Sequence, residues 1–236
     1  MDQIRDWLKS AKRIVVLTGA GISAESGIPT FRGSGGLWRN FRAEDLATAT
    51  AFARDPKLVW EWYDWRRGLI ADARPNPGHE AIAVLEQRTP EFTLITQNVD
   101  GLHRQAGSRS LLEIHGSIWV VRCVQCGSER EDRSVPLNEL PPRCHCGGVE
   151  RPGVVWFGEG LDARVWHNAE EAAISADVLL VAGTSAVVYP AASLAPLAKR
   201  SGARVIEINL DETPISSVAD CSLRGASGEI LPQLIV

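Results

Sequence analysis

Residues 14–24 read Ile-Val-Val-Leu-Thr-Gly-Ala-Gly-Ile-Ser-Ala, an apolar run that leads into Gly19-x-Gly21-x-x-Ala24. The apolar run predicts a buried strand, and G-x-G-x-x-G/A after a strand is typical of a dinucleotide-binding loop. The glycines permit a tight turn, and the start of a following helix offers free N–H groups to phosphate oxygens. A tight strand-to-helix turn that binds no nucleotide could have the same sequence pattern. The acidic residue expected about 20 positions later is not clearly placed, because Asp45 lies in a predicted helical insertion, so an ordinary dehydrogenase is disfavoured.

Further short apolar runs predict an α/β fold with a Rossmann-like parallel sheet, because helical stretches lie between most of them. These predicted strands are Ile14–Leu17, Phe92–Thr96, Leu111–Ile114, Val178–Val181 and Val205–Ile208. Two stretches interrupt the alternation: residues 34–74, rich in Trp and Arg, and residues 119–152, rich in Cys and Pro. We therefore expect a large domain of residues 1–33, 75–118 and 153–236, interrupted by a helical module (34–74) and by a small insertion that holds the cysteines (119–152).

Composition restricts the class of partner. The 236-residue chain carries a formal net charge of −4, which does not resemble the basic surface of a nucleic-acid-binding protein. The first ten residues lack the features of a signal or transit peptide, and no apolar run reaches the roughly 20 residues that span a bilayer. We expect a soluble, cytoplasmic protein without nucleic-acid or membrane partners, and we leave its oligomeric state open.

Four of the five cysteines are clustered as Cys123-Val-Gln-Cys126 and Cys144-His-Cys146. Two pairs of thiolates at this separation are typical of a zinc ribbon. Four sulfurs complete a tetrahedral shell and leave no position for an activated water, so the predicted zinc is structural. His145 is a weaker alternative ligand.

Polar residues follow two of the predicted strands. Thr96-Gln-Asn-Val-Asp100 follows one, and His115-Gly-Ser117 follows another. The carboxyl ends of parallel strands are where α/β folds bind ligands, although each of these residues could also cap a loop.

Taken together, the chain resembles the sirtuin family from about residue 10 to its C-terminus. The motifs that carry the resemblance occur in the family order, with the four cysteines between the fourth and fifth: Gly19–Ser23, Gly27–Arg32, Thr96–Asp100, His115–Ser117, Val155–Glu159, Gly183–Ser185 and Asn209–Asp211. One departure is Gly153, where the nearest branch of the family usually has histidine. We expect it to affect the loop on the peptide side rather than the chemistry.

The resemblance implies an NAD-dependent deacylase whose small domain is formed by the helical module (34–74) and a zinc ribbon (119–152). NAD and an acyl-lysine peptide would bind between this small domain and the large one. His115 would be the general base that deprotonates a ribose hydroxyl after nicotinamide leaves; the products would be free lysine, nicotinamide and O-acyl-ADP-ribose. Val154–Glu159 would bind the peptide as an added strand, with Val155, Phe157, Gly158 and Glu159 as substrate contacts. The implied NAD contacts are Gly19, Ala20, Gly21, Phe31, Arg32, Gln97, Asn98, Asp100, Gly183, Thr184, Ser185, Asn209 and Ser227.

The acyl group is addressed by Tyr63-x-x-Arg66 in a predicted helix, where positions i and i+3 share one face. A phenol and a guanidinium there could bind a carboxylate, although a packing tyrosine and a surface arginine would be ordinary in an arbitrary helix. Class III sirtuins use this pair for succinyl, malonyl or glutaryl lysine, and Ala47 in Asp45-Leu-Ala47 would leave the acyl pocket wide. The resemblance therefore implies a deacylase that prefers acidic acyl groups and acts more weakly on acetyl-lysine.

Other functions remain as alternatives: a general deacetylase, or a sirtuin that transfers ADP-ribose to protein. A Rossmann dehydrogenase is disfavoured by the missing ribose acid, and a silent zinc-ribbon module by the presence of His115, Asn98 and Asp100.

Overall fold

A computed structural model describes residues 1–30 and 41–235. Within these residues the helices are α1 Asp2–Ser10, α2 Ala43–Leu46, α3 Ala49–Arg54, α4 Pro56–Asp72, α5 Pro77–Arg88, α6 Leu102–Gln105, α7 Ala163–Ser175, α8 Leu194–Arg200 and α9 Ser227–Leu234, and 3-10 helices cover Ala20–Ser26, Ala191–Ser193 and Pro214–Ser217. The strands are β1 Arg13–Thr18, β2 Glu91–Thr96, β3 Leu111–Glu113, β4 Gly116–Cys123, β5 Glu129–Glu131, β6 Glu150–Val154, β7 Val178–Ala182, β8 Arg204–Asn209 and β9 Cys221–Arg224.

Within the described residues, six strands form one parallel sheet in the order β3-β2-β1-β7-β8-β9. This is the doubly wound order 3-2-1-4-5-6, so the predicted Rossmann-like fold is confirmed. The strand order reverses between β1 and β7, and a crevice opens at their carboxyl ends. The site is therefore expected where the loops after Thr18 and Ala182 meet.

The sheet is held by aliphatic side chains on both faces. One face packs with α1, α5 and α9, and the other with α7 and α8. β1 is buried along almost its whole length and β7 along all of it, which explains why both read as continuous apolar runs. The apolar pattern did not indicate β9, because this strand has only four residues, Cys-Ser-Leu-Arg, and two of them are polar.

The small module has two parts. In the described chain, β5, β4 and β6 form a three-stranded antiparallel sheet, and α2, α3 and α4 pack against it. β4 and β6 each extend across an expected domain boundary, at residues 118 and 152. The division into domains stays a prediction. Among residues 1–30 and 41–235, no helix has both the length and the apolarity to cross a bilayer.

Candidate active site

The glycine loop after β1 lies against the loop after β7. The Gly21 amide donates to the Gly183 carbonyl over 2.7 Å. A Cβ on Gly21 would lie 2.7 Å from that oxygen, and a Cβ on Gly19 would lie 2.7 Å from Cβ of Thr184. Gly183 has φ +60, and a Cβ there would lie 2.3 Å from the Ile22 nitrogen. The glycines are therefore required by this contact between loops, in addition to any approach of pyrophosphate, and the loop leads into the 3-10 helix Ala20–Ser26 rather than a full α-helix.

Polar side chains extend along the same edge. Nε2 of Gln97 donates to the Thr184 hydroxyl over 3.0 Å, which joins the end of β2 to the loop after β7. Asn209 ends β8, and its amide donates to the Asp211 carbonyl over 3.1 Å. Ser227 is buried at the start of α9, where the Gly228 amide donates to Glu25 over 2.7 Å. The structure thus brings the predicted NAD contacts within the described residues, including Ala20 and Ser185, to one edge of the sheet, while Phe31 and Arg32 lie outside those residues.

His115 has one fixed ring nitrogen. Its Nδ1 lies 3.0 Å from the Gln97 carbonyl oxygen. Because a carbonyl only accepts, Nδ1 carries the hydrogen in this bond, and Nε2 keeps a lone pair. Burial lowers the pKa of His115, and the bond to Gln97 opposes this effect only in part. A partly buried neutral imidazole with a free Nε2 lone pair is suited to accept a proton.

A buried cluster surrounds Asp100. Its carboxylate accepts from the Ser23 hydroxyl over 2.8 Å and from the Leu102 amide over 2.9 Å, while the Asn98 amide donates to the Ser23 oxygen over 3.1 Å. Burial raises the pKa of Asp100, and these hydrogen bonds oppose that rise. Asn98 and Asp100 thus have fixed orientations at the base of the crevice.

Arg66 and Tyr63 both lie on the buried side of α4, with exposures of 7% and 4%. Arg66 lines a cavity together with Ala20, Asn98 and Asp100. Burial lowers the pKa of Arg66, although a guanidinium remains protonated. The Tyr63 hydroxyl accepts from Nε1 of Trp156 over 3.0 Å. The pair predicted from the sequence therefore lies between the cavity and the segment that holds Trp156.

The predicted peptide segment, Val154–Glu159, is only partly a strand. The amides of Val155 and Phe157 donate to the carbonyls of His115 and Ala47 over 2.9 and 3.0 Å, and Glu159 donates to the Trp156 carbonyl over 3.0 Å. The Trp156 amide donates to the Glu159 side chain over 2.9 Å. Strand addition by a peptide would therefore use the Gly158 amide and the carbonyl oxygens of the segment. Ala47 lies directly beside it, and its place in the wall of an acyl pocket stays a prediction.

The four clustered cysteines lie together at the tip of the ribbon. Cys123 and Cys146 have their sulfurs 3.5 Å apart, and Cys126 and Cys144 have theirs 3.7 Å apart. Within the part of the chain that the structure describes, the four sulfurs all lie within 4.8 Å of one another. Tetrahedral Zn–S bonds of about 2.3 Å require sulfurs about 3.8 Å apart. The donor set and its spacing fit a structural zinc, with four sulfurs rather than His145 as the fourth ligand.

Comparisons with known proteins agree with this arrangement. The sequence pattern of the Sir2 family matches residues 19–190. The chain belongs to the Sir2 family.

Relatives cover nearly the whole of this Sir2 chain. The NAD-dependent protein deacylase of Aquifex aeolicus is 61% identical over 208 residues, which is 88% of this chain and 87% of the relative. NAD-dependent protein deacylase 2 of Pyrobaculum aerophilum is 56% identical over 233 residues, covering 98% and 93%.

Solved Sir2 structures are similar over the full length. A Sir2 homologue in complex with NAD has a TM-score of 0.95 and 50% identity, covering 100% of this chain and 92% of the other. A Sir2 protein with deacetylated p53 peptide and 3'-O-acetyl ADP ribose has a TM-score of 0.91 and 31% identity, covering 99% and 96%.

Gly153, the departure from the Sir2 pattern, lies in β6. A Cβ there would lie 2.6 Å from Cγ1 of Val120, so the side chain of β4 occupies the space that a larger residue would need. The glycine is therefore required by packing within the ribbon sheet, two residues before Val155, and its effect on the peptide-side loop stays a prediction.

Two polar residues of the site were not among the predicted contacts. Ser23 binds Asp100 and Asn98, and Nε2 of His79 lies 3.4 Å from the Ser23 hydroxyl. Ser23 could have been selected from its place inside the glycine motif. His79 had no such signal, because it begins a helix remote in sequence from every other member of the cluster.

Proposed function

We propose that this protein is an NAD-dependent protein-lysine deacylase that prefers acyl groups ending in a carboxylate, namely succinyl, malonyl or glutaryl, over acetyl. NAD-dependent protein deacylation is the activity of the Sir2 relatives and extends to this chain through its family membership. The acidic preference is the further step, and it rests on Arg66.

The residues of the crevice fit NAD. Gly19, Gly21 and Gly183 place backbone rather than side chain at the switch point, where the start of a helix offers amides to phosphate oxygens. Bound NAD supplies a nicotinamide leaving group and a ribose hydroxyl that receives the acyl group. His115 accepts the proton of that hydroxyl at Nε2, since Nδ1 is held by the Gln97 carbonyl. Asn98 and Asp100, fixed through Ser23, orient the groups around it.

The observation that carries the acidic preference is a buried guanidinium facing the cavity beside Asn98 and Asp100. Removing a charged group from water is costly, and a carboxylate is the ligand that best offsets this cost for arginine, since it accepts two parallel hydrogen bonds. Asp100 provides part of that compensation from the protein side, because it interacts electrostatically with Arg66. An acyl group with a terminal carboxylate would add a bidentate acceptor from the cavity side.

Zinc has no part in this chemistry. Four sulfurs would complete its coordination shell, so it supplies folding energy to the ribbon rather than an activated water.

The test is kcat/KM of the wild-type protein on one peptide sequence carrying acetyl-, succinyl-, malonyl- or glutaryl-lysine, with release of nicotinamide and of O-acyl-ADP-ribose measured in parallel. We expect the acidic acyl peptides to be turned over at least about tenfold more efficiently, as one charge-assisted hydrogen bond contributes about 1.5–3 kcal/mol. Equal turnover of acetyl-lysine would make the protein a general deacetylase. Labelling of protein by NAD without loss of the acyl group would make it an ADP-ribosyltransferase.

A further inference from the structure

Trp156 joins the Val154–Glu159 segment to α4 through a single directional hydrogen bond. Its indole Nε1 donates to the Tyr63 hydroxyl oxygen over 3.0 Å, and both residues are buried, with exposures of 3% and 4%. An indole N–H can only donate, so the phenol oxygen is the acceptor. The phenol hydrogen is therefore not used in this bond and is left for a second partner.

The indole is held in place on three sides. Trp156 donates its amide to Glu159 over 2.9 Å, and the Arg151 guanidinium stacks 3.4 Å from the centre of its ring. Arg151 is itself fixed, because both of its terminal nitrogens bind Glu159, at 2.6 and 2.9 Å. Phe52 packs on the ring with centroids 5.2 Å apart. A donor held this firmly presents its N–H in one direction.

The phenol is also fixed. The ring of Tyr63 packs edge-on against Trp62, with centroids 4.6 Å apart, and more distantly against Trp60, at 6.3 Å. With the ring held, the remaining freedom of the side chain is the rotation of its O–H. Burial raises the pKa of Tyr63 well above its ordinary value, so the hydrogen is retained throughout the working range of pH. Trp156 thus controls the one remaining variable of this phenol.

We propose that Trp156 is a positioning residue for acyl selectivity: by occupying one lone pair of the Tyr63 hydroxyl, it directs the phenol hydrogen towards an acyl carboxylate bound at Arg66. This inference rests on the proposed function. It assigns a task to a residue outside the Tyr-x-x-Arg pair, in the segment that would bind the peptide backbone.

The consequence is selective. An acyl carboxylate would accept from the phenol as well as from the guanidinium, whereas an acetyl group has no oxygen that reaches them. Loss of the indole donor should therefore lower the succinyl-to-acetyl ratio of kcat/KM, and it should act through KM for the succinyl peptide. A purely structural role would lower both activities in proportion.

The primary variant is Trp156→Phe, which keeps an aromatic ring and removes the donor. We expect the succinyl-to-acetyl ratio to fall about two- to tenfold, the range for one neutral hydrogen bond. In a Tyr63→Phe background the same substitution should leave the ratio unchanged, because the hydroxyl through which it acts is already gone. The matched control is Trp166→Phe in α7, which removes an indole that packs against the parallel sheet and should leave the ratio as in the wild type.

If Trp156→Phe does not fold, 3-benzothienylalanine at position 156 retains the volume of the indole and replaces its N–H by sulfur, with the same expected fall. An unchanged ratio in the folded variant, while Arg66→Met lowers it, would overturn the role of Trp156 and leave the proposed function intact. Independent, additive effects of Trp156→Phe and Tyr63→Phe would also overturn it. A wild-type protein without succinyl preference, unaffected in its ratio by Arg66→Met, would remove the proposed function itself.

Discussion

The parallel sheet and the zinc ribbon of this Sir2 protein are stabilised by different means. The sheet buries Val, Ile, Leu and Ala on both faces, and each fully buried aliphatic side chain contributes about 1.5–3 kcal/mol. In the ribbon, β5 is exposed along its whole length. Apolar packing joins β4 and β6 to α4, while the tip of the ribbon carries the four cysteine sulfurs, and structural zinc contributes on the order of 10 kcal/mol or more to such modules.

Helix α4, which carries Tyr63 and Arg66, is attached to the ribbon. On α4, Trp60 donates to the Glu150 carbonyl over 2.7 Å, Asp64 accepts from the Leu137 amide over 2.9 Å, and Arg67 binds Asp132. The residues between them, Tyr63 and Arg66, are those that we propose to bind the acyl group. The residues that are predicted to contact NAD, by contrast, lie almost wholly in loops that follow strands of the parallel sheet. Acyl selectivity should therefore depend on the ribbon, and NAD binding should not.

Removal of zinc should have the largest effect, and it should affect the ribbon while sparing the parallel sheet. We expect one zinc per chain, and we expect chelation, or Cys126→Ser, to unfold the ribbon and abolish deacylation, while the protein retains most of its affinity for ADP-ribose. Metal analysis, near-ultraviolet circular dichroism and calorimetric titration with ADP-ribose provide the measurements. Full activity of metal-free, reduced protein would contradict the assignment.

His115→Ala should leave both regions folded and remove the chemistry. Loss of a general base costs about 10²–10⁴-fold in turnover. Because the neutral imidazole is the active form and burial lowers its pKa, the acid limb of kcat/KM in the wild type should have its midpoint below the ordinary value of about 6.5. Near-normal turnover in the variant, with ADP-ribose binding as the control, would eliminate this role.

Two glycine substitutions compare the loop that is predicted to bind NAD with helix α4. Gly21→Ala places a methyl group 2.7 Å from the Gly183 carbonyl and should lower both stability and NAD affinity. Gly68→Ala, in α4, meets nothing within 4 Å and should raise stability by up to about 1 kcal/mol, the difference in helix propensity. Urea unfolding and KM for NAD test both. Similar effects of the two substitutions would show that the contact with Gly183 is not the reason for glycine at position 21.

Two buried histidines beside the parallel sheet, His79 and His103, should make the free energy of unfolding depend on pH. Burial lowers the pKa of His79 to about 4 and that of His103 to about 3, against about 6.5 in the unfolded chain. Between these values the unfolded chain binds more protons, so stability falls as pH falls, by up to about 1.4 kcal/mol per pH unit for each histidine. Asp100, whose pKa burial raises, has the opposite sign and offsets one histidine at most.

Urea unfolding at about pH 7 and about pH 5 measures this slope, with the exposed His167→Gln as the control variant. Equal stability at the two pH values would mean that the buried histidines do not titrate as described.

Sequence alone predicted the elements with a strong apolar pattern. The runs that became β1, β2, β7 and β8 were placed within a residue or two, because strands buried on both faces are continuously apolar. Segment β9 was missed, since a short edge strand carries no such pattern. The site was predictable where motifs end strands, as at Gln97 and His115.

Contacts between distant segments could not be predicted in the same way. The bond from Trp156 to Tyr63 joins residues 93 positions apart, and no periodicity or spacing relates them. The same is true of His79, which reaches Ser23 only because α5 packs beside the glycine loop. Likewise, the need for glycine at positions 19 and 21 arises from the loop after β7, which the motif itself does not include.

The proposed preference for acidic acyl groups is tested most directly by Arg66→Met, measured on succinyl- and acetyl-lysine versions of one peptide with melting temperature as the control. Loss of a charge-assisted hydrogen bond should raise KM for the succinyl peptide roughly 10- to 150-fold, while turnover of the acetyl peptide stays the same or improves. Equal losses on both peptides, accompanied by a lower melting temperature, would contradict the acidic-acyl assignment and leave the protein a general deacetylase.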